Sequence, residues 1–151
     1  MFQKKALKTI ITIIIVLLTV SIVIAGQGHE WKEKMISANG RDQITLSEGT
    51  KVIFPSKCLT EDTLVRVERF TIDSQRAEFY FEPHGLQFLK PVTIQLSWAS
   101  LKNVTANDLI LYYWNDEIGQ WVEETQAIWR NNERYCELTI NHFSYYYYQR
   151  R

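Results

Sequence analysis

The clearest strand pattern of the chain lies in the stretch PHGLQFLKPVTIQLSW, at residues 83–98. In its last part every second residue is apolar, namely Val92, Ile94, Leu96 and Trp98. A strand with this alternation turns one face to a core and the other to water. Gly85 permits a tight turn before the strand, and Pro91 stands at its start, where its nitrogen need not donate to the ladder.

Similar patterns recur along the chain. Residues 77–82 alternate in the same way, and residues 109–114 are apolar on both sides, as in a central strand. In residues 64–72 the apolar positions change parity between Val67 and Phe70, which predicts a bulge or a crossing between sheets. Polar turns separate these strands, and five Trp, eight Tyr and seven Phe can fill a core. The sequence therefore predicts an all-β fold, an antiparallel β-sandwich.

The first 28 residues differ from the rest. They open with three lysines, Lys4, Lys5 and Lys8. An uncharged run of mostly Ile, Val and Leu follows at residues 10–25, an order typical of a signal peptide or an N-terminal membrane anchor. A signal h-region has about 7–15 residues and a spanning helix about 20, so the length leaves both alternatives open. We predict one N-terminal hydrophobic helix at residues 1–28 that contacts the membrane through residues 9–25.

The charges predict the location of the remaining chain. Basic flanks stay in the cytoplasm, so the C-terminal domain lies outside it, held at the cell membrane or secreted after cleavage. Residues 29–41 are polar without a clear strand, which indicates a tether before a sandwich at residues 42–151. Without the three lysines, 14 Lys and Arg stand against 17 Asp and Glu, a net charge of −3. We expect no nucleic-acid partner, because that requires a clustered basic face.

Cys58 and Cys136 are the only cysteines. In an oxidising compartment they are a candidate disulfide, which would close a long loop and contribute about 4 kcal/mol in the chain-entropy model. The alternative is two buried free thiols, because Cys136 shares a strand face with Leu138 and Ile140. The sequence leaves both open, since it does not show whether the two residues meet.

Two motifs carry a resemblance to a known family. Residues 52–55, Val-Ile-Phe-Pro, followed by Leu59 and residues 63–67, resemble the opening of a ZU-five domain, the β-sandwich of ankyrins, netrin receptors and zonula-occludens proteins. The more specific match is the signature Pro83, Gly85, Phe88, Pro91 and Val92. The resemblance covers residues 42–148, and bacterial exported relatives of ZU-five domains look similar in the C-terminal part, at Trp121 and residues 142–146. It implies a sandwich with a binding or scaffolding role, and it names no ligand.

The resemblance also draws attention to His142, Phe143 and Ser144. In a death-domain scaffold of this family, and in an unrelated nucleoporin domain, this triplet cleaves its own Phe–Ser bond. Here His142 would take the proton of Ser144 Oγ, whose attack on the Phe143 carbonyl gives an ester that water opens. The reaction needs a strained peptide and oxyanion donors. The structural alternative is that the triplet fills core space at a strand end.

Other chemistry is not indicated. The three histidines, His29, His84 and His142, lack the spacing of a common zinc site, and there is no phosphate-binding glycine loop, so we expect no metal and no cofactor. The tyrosines of residues 145–148 indicate a closing strand or an aromatic patch for a partner or glycan. The sequence favours a non-enzymatic binding or structural module at the cell envelope. The alternatives are self-processing at Phe143–Ser144 and an accessory subunit that pairs with a larger envelope protein.

Overall fold

Two antiparallel β-sheets make up the fold in the computed structural model, which describes residues 28–151. The strands are β1 (Gly28–Ile36), β2 (Asp42–Thr45), β3 (Lys51–Phe54), β4 (Thr63–Thr71), β5 (Ala77–Glu82), β6 (Gln87–Ser97), β7 (Leu109–Asn115), β8 (Gln120–Glu123), β9 (Ile128–Arg130), β10 (Tyr135–His142) and β11 (Tyr146–Arg150). A single 3-10 turn, Ala106–Asp108, precedes β7. The predicted all-β class is confirmed.

The predicted hydrophobic helix and membrane contact at residues 9–25 lie outside the described residues. Between residues 28 and 151, no helix has the length and hydropathy needed to cross a membrane.

The strands are ordered β1-β4-β5-β11-β7-β8 in a six-stranded sheet and β2-β3-β6-β10-β9 in a five-stranded sheet. Alternating residues from both sheets face a shared aromatic core, because the side-chain period of a strand is two. The largest fully buried side chains include Trp98, Tyr148, Phe54, Phe79, Phe81 and Phe143. The apolar halves of residues 77–82 and 92–98 point into this core, as their alternation predicts.

The polar segment predicted as a tether forms strand β1 instead. All nine residues of β1 pair with β4, from Gly28 opposite Thr71 to Ile36 opposite Thr63. Its inward charged side chains find partners at the edge of the other sheet, where Lys34 Nζ lies 2.5 Å from Asp42 Oδ1 and Glu30 accepts a hydrogen bond from Ser47. An edge strand whose inner face meets polar groups lacks the apolar alternation by which strands are recognised, so the tether prediction was wrong.

The bulge predicted in residues 64–72 is also absent. Strand β4 pairs with β1 and β5 without any shift in register. Arg69 occupies the inward position that completes the Val65 and Val67 parity and is 3% exposed, while Phe70 turns outward and stacks on His29 at 4.2 Å. A buried arginine, rather than a bulge, explains the change of apolar parity.

The irregularity lies instead around Pro91, which is inside β6 and not at its start. The pairing of β6 with β10 shifts here, from Val92 opposite Ile140 to Gln87 opposite His142. Leu89 in this bulge is 64% exposed and its amide donates to the Cys58 carbonyl at 2.8 Å. A bulge is one of the few places where a sheet accepts a residue that cannot donate a hydrogen bond.

Candidate functional site

The two segments that the sequence singles out meet at one end of the sandwich. The Phe143 amide donates to the Leu86 carbonyl at 2.9 Å, and the rings of Phe143 and Phe88 lie 4.9 Å apart, edge to face. The end of β7 and the turn after it join this corner, because Trp114 accepts a hydrogen bond from Ser144 and Asp116 contacts His84. We call this site, made of residues 83–88, 114–117 and 142–145, the signature corner.

The signature residues serve the turn and the core of this corner. Gly85 has a φ of 71°, in the left-handed region that glycine adopts most readily, so it permits the turn between β5 and β6. The Phe88 ring also meets the Phe54 ring edge to face at 6.3 Å, and Val92 is fully buried. Pro83 and Pro91 are exposed. The turn therefore accounts for Gly85, and core packing accounts for Phe88 and Val92.

The triplet is held in a geometry that separates the base from the nucleophile. Ser144 Oγ donates to the Trp114 carbonyl at 2.5 Å, and His142 Nδ1 lies 3.0 Å from the Phe143 carbonyl oxygen. A carbonyl oxygen only accepts, so Nδ1 carries the proton in this contact. Within the described chain no hydrogen bond joins His142 to Ser144. Phe143 and Ser144 are buried while His142 is exposed, so the register shift in β10 brings Phe143, not His142, into the core.

A second histidine binds a carboxylate in the same corner. His84 Nε2 lies 2.9 and 3.0 Å from the two carboxylate oxygens of Asp116, and its ring lies 4.1 Å from that of Tyr145. The Tyr145 hydroxyl donates to Glu82 at 2.8 Å. Burial and this hydrogen bond raise the pKa of Tyr145 to about 12. The hydrogen bond from His84, with smaller effects of other neighbours, holds the pKa of Asp116 below its usual value.

The corner offers little as a metal or substrate site. A cavity of about 190 Å³ is lined by residues 113–117 and His142. Nowhere in residues 28–151 do three or more His, Cys, Asp or Glu side chains cluster as metal ligands would. A wider groove of about 510 Å³ lies at the β2 edge of the five-stranded sheet, between Arg41, Ile53, Pro55 and Pro91.

Removing the His84 hydrogen bond is expected to raise the pKa of Asp116. His84→Phe keeps a ring against Tyr145 but has no N–H, so the Asp116 pKa should move up toward its usual 3.8. Because the pKa of Asp116 is lowered by folding, its carboxylate stabilises the folded protein above pH 3.8, and this contribution disappears as the pH falls through the pKa of the folded state. His84→Phe should therefore lose less free energy of unfolding on acidification than the wild type does. Carboxyl titration by NMR measures this, with His29→Phe as control, because His29 pairs with Glu68 at the other end of the sheet. The same Asp116 titration in wild type and His84→Phe would count against the bond.

The two cysteines are far apart, which corrects the candidate disulfide. The Cys58 carbonyl is bonded to Leu89, whereas Cys136 pairs with Leu96, seven positions further along β6. At about 3.3 Å per residue these points are on the order of 20 Å apart, and a disulfide requires Cα atoms within about 7 Å. Both cysteines are free and buried. Cys136 Sγ accepts a hydrogen bond from the Tyr148 hydroxyl at 2.9 Å, so it belongs to the core.

Both thiols are expected to resist modification in the folded protein. Burial raises the pKa of Cys136 to about 12 and also raises that of Cys58, and the thiolate is the reactive form. A disulfide reagent should react more than about 100-fold slower than with a peptide thiol in the native protein. In denaturant without reductant it should count two thiols per chain. A count of none would mean that the cysteines are bridged.

The outer face of the six-stranded sheet carries a row of aromatic side chains that we call the aromatic outer face. Its members are Trp31, Phe70, Tyr80, Tyr145, Tyr147, Tyr112, Trp114 and Trp121. Neighbouring rings touch: Tyr80 and Tyr145 are 4.9 Å apart, and Tyr147 and Trp121 are 4.7 Å apart. The tyrosine run at residues 145–148 supplies Tyr146 and Tyr148 to the core and the other two to this face, and β11 is a central strand, not the closing strand that the sequence offers as one alternative. The place of Trp31 on this face was not predictable from the sequence, because β1 has no apolar alternation.

Exposure on this face is greatest at the β1 edge. Met35 and Leu64 lie directly opposite each other and are 56% and 49% exposed. Trp31, on the same face of β1, is 52% exposed, and the Arg66 guanidinium lies 4.5 Å from its ring centre. We call Trp31, Met35 and Leu64 the β1 strip.

Comparison with known proteins adds no family to this picture. No protein-family model and no curated protein matches the chain. The ZU-five resemblance, which stands on the signature residues of the corner, stays a prediction.

Proposed function

We propose that this chain is an exported or membrane-tethered, non-enzymatic binding or structural module at the cell envelope. The basic start and apolar run of residues 1–28 support export. The observation that carries the binding role is the β1 strip, three large apolar side chains exposed together on one sheet face. The strand register places Glu33 and Arg66 between Trp31 and the Met35–Leu64 pair, so the strip combines exposed apolar side chains with charged ones, a mixture typical of protein interfaces.

The composition of the β1 strip favours a protein partner. Trp, Met and Arg are enriched in the cores of protein interfaces, and the strip offers Trp31 and Met35 beside Arg66. A large ring with a guanidinium over it is also the kind of group that dominates binding energy in such interfaces. If the partner is one larger envelope protein, the chain is its accessory subunit, which is a second form of the same proposal.

Self-processing at Phe143–Ser144 is the alternative from a different class. One observation favours it: His142 Nδ1 lies 3.0 Å from the Phe143 carbonyl oxygen, the atom that would carry negative charge during attack. Against it, the Ser144 hydroxyl is bonded to Trp114 and not to a base. The second observation supports the non-enzymatic proposal, because an acyl shift begins with proton transfer from that hydroxyl.

Export is tested by a reporter enzyme, one that folds only outside the cytoplasm, fused after residue 151 in a bacterial host. We expect reporter activity with the native sequence. Leu17→Arg with Leu18→Arg interrupts the apolar run, and this control should lose the activity because charge opposes membrane insertion. Activity that is absent from the native fusion, or equal in both, overturns the proposal of export.

The binding role is tested by a photoreactive side chain placed at residue 31 of the full chain in living cells. The matched control is the same group at Thr139, an exposed position on the outer face of the five-stranded sheet. We expect a discrete protein adduct from residue 31 that Met35→Ser with Leu64→Ser weakens severalfold. Identical adduct patterns from residues 31 and 139 would show that the β1 strip is not the binding surface.

A further inference from the structure

We propose that one end of the sandwich, the end at Gly28, rests on the anionic lipid headgroups of the membrane. The proposal rests on the proposed function in its membrane-tethered form and adds to it a contact surface and an orientation. We call this surface the Gly28 end. It consists of Gly28, the β4–β5 hairpin at residues 72–76, the loop at residues 99–108, the β9–β10 turn at residues 131–134 with Arg130, and residues 149–151.

Strand register brings these segments to one end. Gly28 lies opposite Thr71, where β4 enters the hairpin, and Arg150 lies opposite Leu109, where β7 begins. Two loop contacts tie the segments together. The Lys102 amide donates to the Ser74 carbonyl at 3.1 Å, and the Arg151 amide donates to the Asp108 carbonyl at 2.9 Å. The signature corner lies at the opposite end of the same strands.

The sequence places this end next to the apolar run. Only Gly26 and Gln27 separate residue 25 from the start of β1. Two or three extended residues reach about 10 Å at most. A chain anchored through residues 9–25 therefore holds Gly28 within about that distance of the headgroups.

The exposed side chains of the Gly28 end suit an anionic lipid surface. Four are basic: Lys102, Arg130, Arg150 and Arg151. Two exposed side chains here are acidic, Asp73 and Glu133. At the opposite end the balance reverses, with Glu61, Asp62, Asp116 and Glu117 exposed against Arg41, Lys57 and Lys90. The net charge of residues 28–151 is negative, so the basic surplus at the Gly28 end is a local feature, and it is complementary to anionic headgroups in the extracytoplasmic leaflet beside the apolar run.

An exposed apolar side chain stands among these charges. Ile72 begins the β4–β5 hairpin and is 41% exposed. Apolar side chains flanked by basic ones are the usual composition of surfaces that enter the headgroup region. If the domain rests on the Gly28 end, its strands run away from the membrane. The aromatic outer face is then perpendicular to the membrane plane, and the signature corner is farthest from the lipid.

The proposal is tested by fluorescence quenching in the full chain, reconstituted in phosphatidylcholine vesicles with or without phosphatidylglycerol. A dye is attached at Ser74→Cys in the hairpin or, as control, at Glu117→Cys at the opposite end; both positions are exposed and the native thiols are buried. A nitroxide on the lipid headgroups quenches by contact. With phosphatidylglycerol we expect severalfold stronger quenching at residue 74 than at residue 117. Equal quenching at the two positions overturns the proposal.

The charge requirement is tested in the same vesicles. Lys102→Glu with Arg150→Glu and Arg151→Glu should reduce quenching at residue 74 severalfold when phosphatidylglycerol is present. If quenching at residue 74 is the same with and without these substitutions, and with and without phosphatidylglycerol, the role of anionic headgroups is overturned. If the chain that carries the dye at residue 74, and no charge substitution, does not float with either kind of vesicle, the membrane tether is overturned, and the docking with it. A chain that floats with equal quenching at the two positions leaves the tether standing and removes only the docking.

Discussion

Phe143→Ala is expected to lower the free energy of unfolding by about 3–5 kcal/mol, as for other fully buried phenylalanines. The ring has no solvent exposure and packs against Phe81 at 5.3 Å and Phe88 at 4.9 Å. Truncation leaves a cavity where the signature turn meets the core. Urea unfolding followed by tryptophan fluorescence measures the loss.

The matched control is the neighbouring residue of the triplet. His142 is exposed, and its side chain makes one hydrogen bond, to the Phe143 carbonyl. His142→Ala should therefore lower the free energy of unfolding by at most about 1 kcal/mol. A large difference between the two variants means that the triplet serves packing through Phe143. Comparable losses, or a small loss for Phe143→Ala, would contradict the core role.

Glu48→Gln is expected to lower the free energy of unfolding by about 3 kcal/mol, because it removes the stronger of the two carboxylate charges, Glu48 and Glu30, that offset the buried charge of Arg69. Arg69 is 3% exposed, its Nε lies 3.7 Å from Glu48 Oε2, and its Nη1 donates to Thr71 at 2.6 Å. Burial lowers the pKa of Arg69 and the charge of Glu48 opposes that shift. The amide keeps the shape of the side chain, so the variant isolates the charge.

Two controls sharpen this prediction. Asp42→Asn breaks the exposed pair with Lys34 and should cost less than about 1 kcal/mol, since water screens it. Adding Arg69→Met to Glu48→Gln should restore much of the stability, because an apolar side chain tolerates that site without a partner. If Glu48→Gln and Asp42→Asn cost the same, the buried pair is not a stabilising contact.

The strands that separate core from water were predictable from sequence. In residues 77–82 and 92–98 one face meets the aromatic core and the other meets solvent, so burial and alternation coincide. Strand β1 was not predictable, because its inner face meets Asp42 and Ser47 at the open side of the sandwich. Arg69 accounts for the wrong prediction of a bulge in residues 64–72 for a similar reason. A charged side chain in a core position breaks the apolar pattern without breaking the strand.

The candidate site was predictable only in part. The signature and the triplet each stood out by their own residues, but their contact through Leu86 and Phe143 depends on how β6 pairs with β10. The register shift near Pro91 also determines that Phe143 is buried and His142 is exposed. The separation of Cys58 and Cys136 follows from the same pairing. Composition carries no information on such long-range register, so the sequence leaves the disulfide open. The β1 strip is not predictable for a different reason, because β1 lacks an apolar alternation.

The intact mass of the full-length chain, followed over days at neutral pH, is the measurement on which the non-enzymatic proposal depends most. Wild type and Ser144→Ala are compared, because the variant lacks the only hydroxyl that an acyl shift at this bond can use. We expect both chains to retain residues 144–151, and we expect reduction to leave their masses unchanged. A wild-type chain that divides between Phe143 and Ser144 while the variant stays whole would contradict the non-enzymatic proposal.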